Sequence, residues 1–134
     1  MSTIFSKIIN KEIPAHIVAE DADCVAFLDI NPLVMGHVLV VPKVEVDYIF
    51  DLDDSILTKL HLFSAKVARG LKLAIDCKRI GTAVIGLEVP HTHIHLVPLN
   101  AIDDINFSRP KLNPSQEDLT KIAEKIRNQI NLIS

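Results

Sequence analysis

The order of elements along this chain predicts an α+β domain built on an antiparallel sheet. Three short strand-like runs follow one another before any long helical pattern begins. Two more runs then lie between that long helix and a terminal one, with no βαβ alternation. The 134 residues are 49% apolar, enough for one compact core, and they carry no repeat, low-complexity tract or Gly/Ser linker. A single domain over 1–134 is therefore expected.

Each element has its own signal. Phe5, Ile8, Ile9 and Ile13 recur at helical spacing over residues 4–13, and Pro14 is expected to stop that helix. Ile17–Glu20 reads as a first strand, closed by the turn Asp21-Ala22-Asp23. Cys24–Asp29 reads as a second, ended by Asn31-Pro32, and Val38-Leu39-Val40-Val41 as a third, buried one after Gly36. Between Asp53 and Asp76 the residues Ile56, Leu57, Leu60, Phe63, Val67, Leu71 and Ile75 mark a long helix. Asp53, Asp54 and Ser55 supply its cap and its dipole-friendly charge. Gly81–Leu87 and Thr92–Leu99 are expected as fourth and fifth strands, joined through Glu88-Val89-Pro90. Ser115-Gln116-Glu117-Asp118 has the pattern of a helix start, followed by the stripe Leu119, Ile122, Ala123, Ile126 and Ile130. Asn100–Asn113 shows little periodicity and reads as a loop, placed so that in a dimer it could cross the partner's site.

Composition narrows the function classes. The net charge is −3 with histidine neutral, and the basic residues are scattered, which argues against a nucleic-acid partner. One nucleotide needs only a few donors and is compatible with this balance. No apolar run approaches the about 18 residues of a membrane span, so no membrane association is expected. Met1–Lys7 lacks the layout of a signal peptide, and Cys24 and Cys77 lack paired-ligand spacing. A reduced cytoplasmic setting follows as the expectation.

The run His91-Thr92-His93-Ile94-His95 concentrates half of the six histidines in five residues. On a strand, alternate side chains share a face, so all three rings are expected on one side. Histidine titrates near neutrality and is a metal ligand, a proton carrier and a nucleophile. Two chemistries stay open on spacing alone. The three nitrogens could hold a catalytic zinc with one open position. Alternatively, one imidazole attacks an electrophile while its neighbours orient it and handle protons.

His-Thr-His-Ile-His-Leu-Val resembles the histidine-triad pattern, His-x-His-x-His followed by two apolar residues. The likeness extends to Ile4–Pro14, to Glu20-Asp21, to Ala26-Phe27-Leu28-Asp29-Ile30-Asn31-Pro32 and to Gly36–Lys43. It covers roughly residues 3–100, leaving 101–134 as a C-terminal extension with a helix, and is nearest to the nucleotide-binding, phosphoramidase-like branch of that family. The resemblance implies a five-stranded antiparallel sheet with two main helices, shared continuously across a homodimer. It implies hydrolysis or transfer at the α-phosphate of a purine nucleotide conjugate, with His93 as nucleophile and a nucleotidyl-histidine intermediate. In that pattern the backbone carbonyl of His91 sets the tautomer of His93, His95 donates to phosphate oxygens, and His37 completes the proton network. Asp29 aligns with a ribose-binding carboxylate and Ile30 with an apolar contact to the base. No cofactor and no catalytic metal are implied.

The chain departs from the pattern in three places. Some relatives carry a structural zinc held by cysteines and histidines, where this chain has Thr3, Ser6 and Glu45, so no structural zinc is expected. The loop before the triad is short, and Glu88 stands where a neutral donor to phosphate is usual. An ionised Glu88 would repel phosphate unless it points away or meets an amine of the substrate. There is no tryptophan and one tyrosine, so base contacts must come from phenylalanine or aliphatic groups, with modest base discrimination. Competing readings are a dinucleoside polyphosphate hydrolase, a nucleotide-binding module without catalysis, and a three-histidine metal enzyme.

Overall fold

The computed structural model describes residues 3–133; Met1, Ser2 and Ser134 lie outside the described residues, and with Met1 and Ser2 the start of the Met1–Lys7 segment. Helix α1 (Ile4–Ile9) precedes strands β1 (Ile17–Glu20), β2 (Cys24–Leu28) and β3 (Val38–Pro42). Helix α2 (Asp54–Ala74), strands β4 (Arg79–Ala83) and β5 (Ile94–Leu99), and helix α3 (Gln116–Ile133) complete the order. The five strands form one antiparallel sheet in the order β1-β2-β3-β5-β4, as the α+β reading requires. The caps fall where the side chains dictate. Asp53 accepts from Ile56 N–H at 2.8 Å, and Ser115 Oγ accepts from Asp118 N–H at 3.1 Å.

Strand parity divides the sheet into two buried faces. Cys24, Ala26, Leu28, Val38, Val40, Ile94 and Leu96 pack against α2 and α3 in the main core. The intervening Val25, Phe27, Leu39 and Val41 face the opposite way and pack beneath Phe5 and Ile8 of α1. Burying both faces explains why β2 and β3 read as continuous apolar runs. Cys24 and Cys77 are both buried free thiols.

Three element boundaries differ from expectation. The first helix ends at Ile9, well before Pro14, because Glu12 N–H reaches Lys7 O (2.8 Å) and Lys11 N–H reaches Ile8 O (3.1 Å). This is a Schellman stop with Lys11 in the left-handed region at φ 62°. The fourth strand runs over 79–83 instead of 81–87, since its ladder on β5 starts at Arg79↔Leu99 and ends at Ala83↔His95. The fifth starts at Ile94 instead of Thr92, because Thr92 N–H turns away to Val46 O at 2.7 Å. No described helix is long and apolar enough to cross a membrane.

Candidate active site

The face of the sheet beneath α1 carries the chemistry, for a reason of register. Leu39 pairs with Phe27 on one side and with His95 on the other. Asp29 N–H bonds to His37 O at 3.0 Å just past the end of that ladder. Asp29, His37 and His95, all odd-numbered, thus emerge on the same face as Phe27 and Leu39. A cavity of about 550 Å³ opens there, lined by Asp29, Ile30, Glu88, His93 and His95 among others. Its size suits a small-molecule ligand.

Backbone groups dictate the tautomers of His37, His91 and His93, and His37 in turn dictates that of His95. Leu33 N–H donates to His37 Nδ1 at 3.1 Å, so the proton of neutral His37 is on Nε2. That N–H donates to His95 Nδ1 at 2.9 Å, which leaves His95 with its own N–H on Nε2. His93 donates through Nδ1 to the carbonyl of His91 at 2.8 Å, so His93 Nε2 keeps its lone pair. His91 donates through Nε2 to Pro42 O at 2.8 Å. The pocket is therefore lined by one imidazole with a free lone pair, on His93 Nε2, and one with a free N–H, on His95 Nε2.

Burial disfavours the charged forms of His37, His91 and His95. It drives His37 down to about 4 and His95 to about 3, with the charges of His93 and Lys111 acting in the same direction on both. Burial also lowers His91, opposed by its bond to Pro42 O. Asp29 is raised by burial, against the pull of its bond from Asn31 N–H.

Two expectations about the triad need correcting. The rings do not share one face: His91 turns away from the cavity and packs under α1, with Thr3 Oγ1 at 3.1 Å from its Nδ1. The reason is that residues 91–93 precede the ladder, in a tight turn where His91 N–H bonds to Val89 O at 2.8 Å. The three histidines consequently cannot converge on a single ion. Among the described residues, the cluster of candidate ligands Asp29, His37 and His95 is spanned by the His37–His95 hydrogen bond, whose shared proton a metal would have to displace.

The other site residues are placed as follows. Asp29 does both things its sequence context allows, accepting from Asn31 N–H at 2.9 Å as a turn former while lining the cavity. Ile30 is exposed on the cavity wall, and Glu88, also exposed, is among the residues that line the cavity. His37 lies behind His95, 1% exposed and off the cavity surface. Thr3, Ser6 and Glu45 meet around His91: Ser6 Oγ donates to Glu45 Oε1, and Thr3 N–H reaches the same oxygen at 3.2 Å. Hydroxyl and carboxylate oxygens already paired with one another do not suit a tetrahedral zinc.

Sequence reasoning missed three contributors. Phe5 stands edge-on to His93 with ring centroids 5.0 Å apart, and its spacing marked it only as core. Phe107 packs edge-on against His95 at 4.7 Å, and Lys111 lines the same cavity. Both belong to the loop after β5, which folds over its own chain's site; Leu112 N–H bonds to Pro32 O at 2.9 Å. No local pattern in that loop announces such a contact.

Comparison with known proteins bears on family and fold. The chain is 37% identical to an uncharacterized HIT-like protein of Borreliella burgdorferi over 135 residues, covering 95% of this chain and 97% of that one. It is 35% identical over 96 residues to the adenosine 5′-monophosphoramidase HNT1 of Saccharomyces cerevisiae, covering 71% of this chain and 61% of that protein. The crystal structure of a Hit-like protein from Bartonella henselae superposes with a TM-score of 0.83 at 31% identity, covering 96% of each chain. The HIT domain profile matches residues 10–102, and the chain belongs to the HIT domain family.

Proposed function

We propose that this protein is a nucleotide hydrolase that cleaves nucleoside phosphoramidates or related conjugates at the α-phosphate through a nucleotidyl-His93 intermediate. The observation that carries the reading is the commitment of His93 Nδ1–H to the His91 carbonyl at 2.8 Å, which leaves Nε2 free as the nucleophile. Nε2 attacks phosphorus, the bond to the leaving amine breaks, and the amine departs after taking up a proton. The N–H of His95 at the cavity surface serves the phosphate oxygens and is held in that tautomer by His37. Water then displaces the imidazole and releases the nucleoside monophosphate. Asp29 accepts the ribose hydroxyls and Ile30 meets the base, which we take to be a purine. The similarity to a monophosphoramidase supports this substrate class.

A second reading rests on the mouth of the cavity, where Glu88 and Lys111 stand with opposite charge. Glu88 favours an amine-bearing leaving group, whereas Lys111 favours an anionic one such as that of a dinucleoside polyphosphate. Among the described residues β4, like β1, is an edge strand with one side open, and a second copy of this chain pairing there would make a homodimer.

The test is intact-protein mass spectrometry after brief mixing with adenosine 5′-phosphoramidate and an alkaline quench. Wild type should gain the mass of one AMP and His93→Ala should not. Turnover that survives in His93→Ala would refute the nucleophile.

A further inference from the structure

We propose that Thr3, Ser6 and Glu45 form a metal-free brace that positions His93 through His91. The carbonyl of His91, which accepts the Nδ1 proton of His93, lies outside the sheet: the β3–β5 ladder reaches only Val40↔Ile94. Its orientation therefore depends on what holds residue 91, and both ring nitrogens of His91 are held. Nε2–H donates to Pro42 O at 2.8 Å, which makes Nδ1 an acceptor that needs a donor in a fully buried place.

The Thr3 hydroxyl supplies that donor at 3.1 Å while its oxygen accepts from Ser6 N–H at 3.0 Å as the cap of α1. Ser6 Oγ is 3.5 Å from the same nitrogen, but its proton is directed to Glu45 Oε1. Glu45 also takes Thr3 N–H, so one carboxylate aligns both hydroxyl-bearing residues. Thr3 Oγ1 also lies 3.3 Å from Ser6 Oγ; with the Ser6 proton directed to the Glu45 carboxylate, the Thr3 proton is the one left for His91 Nδ1. The brace runs by hydrogen bonds from the Glu45 carboxylate to the His91 ring, through the covalent frame of residue 91 to its carbonyl, and by a last hydrogen bond to His93 Nδ1. These are positioning residues: none of Thr3, Ser6 and Glu45 lines the cavity.

The inference rests on the proposed role of His93 for its kinetic consequence, but not for its structural one. The test therefore reads both, on Thr3→Val, on Glu45→Ala and on the conservative variants Thr3→Ser and Glu45→Gln. Two-bond ¹H–¹⁵N correlations of the histidine rings report which nitrogen of His93 carries the proton. Wild type, Thr3→Ser and Glu45→Gln should hold the Nδ1–H form, whereas Thr3→Val and Glu45→Ala should admit the Nε2–H form. Turnover of adenosine 5′-phosphoramidate should fall roughly tenfold in kcat for those two, with AMP affinity unchanged. Glu45 is exposed, so its variant stays interpretable if Thr3→Val fails to fold. A folded Glu45→Ala protein with a wild-type His93 tautomer overturns the brace. If wild type itself shows no turnover, the substrate reading fails while the spectra still judge the brace.

Discussion

His37 Nε2 lies 2.9 Å from His95 Nδ1, and Leu33 N–H, 3.1 Å from the other His37 nitrogen, makes His37 the donor of that pair. A residue outside the triad thereby decides which nitrogen of the triad carries a proton into the cavity. His37→Ala should lower kcat by roughly 10–100-fold, with little change in AMP affinity. His37→Gln should retain more activity, since its amide N–H can replace the lost donor. Equal activity in all three proteins by steady-state assay would show that the pair has no part in the chemistry.

The same burial makes the protein acid-sensitive. His37 and His95 are held near about 4 and about 3 in the fold, against about 6.5 in an unfolded chain. Between those values the unfolded state binds more protons, so stability falls as pH drops below about 6.5. The slope approaches about 1.4 kcal/mol per pH unit for each histidine. Asp29, whose carboxyl is raised, works in the opposite direction and offsets part of the loss. Thermal melts should show Tm decreasing between about pH 7 and pH 5, and the decrease should flatten in His37→Gln. A level Tm over that range would contradict neutral buried rings.

Gly70 of α2 lies directly against Ile130 of α3. A Cβ built there would stand 2.3 Å from Ile130 Cγ1 and 3.0 Å from Ile130 Cα. Alanine would favour the helix by about 1 kcal/mol, but overpacking costs about 1–3 kcal/mol, and here backbone as well as side chain must retreat. Gly70→Ala should therefore be net destabilising, by roughly 1 kcal/mol, read as a lower urea midpoint with unchanged slope. A higher midpoint would mean that α3 yields freely.

The opposed charges at the mouth should set leaving-group preference. Removing the Glu88 carboxylate relieves repulsion of about 1 kcal/mol or more against an anionic leaving group. Glu88→Gln should raise kcat/KM for diadenosine tetraphosphate about fivefold relative to adenosine phosphoramidates with cationic amines. Lys111→Gln should shift the ratio the other way. Parallel progress curves on both substrates measure it, and an unmoved ratio in both variants would remove these residues from selection.

Much of the site was legible in the chain because it obeys strand parity. Once residues 24–28 and 38–42 are strands, Asp29 and His37 must leave the sheet on one face, and register adds His95. The caps at Asp53 and Ser115 were equally local, each decided by a side chain within three residues of the N–H it satisfies. The stop of α1 was not: Pro14 suggested a longer helix, while Lys11 could take a positive φ and end it sooner.

What the sequence by itself determined was the periodic part: the α+β order, the two apolar faces, the capped helices and the shared face of Asp29, His37 and His95. Only the tertiary structure decided where β5 begins, that His91 turns into the Thr3–Ser6–Glu45 cluster, and that Phe107 and Lys111 reach back over the site. Strand periodicity acts between residues two apart, so it can be read locally. A ladder ends where its partner strand ends, and the hydrogen bonds around His91 join positions 39 to 88 residues apart. No local pattern encodes such contacts; they exist only when the folded chain brings buried donors and acceptors together and each must find a partner.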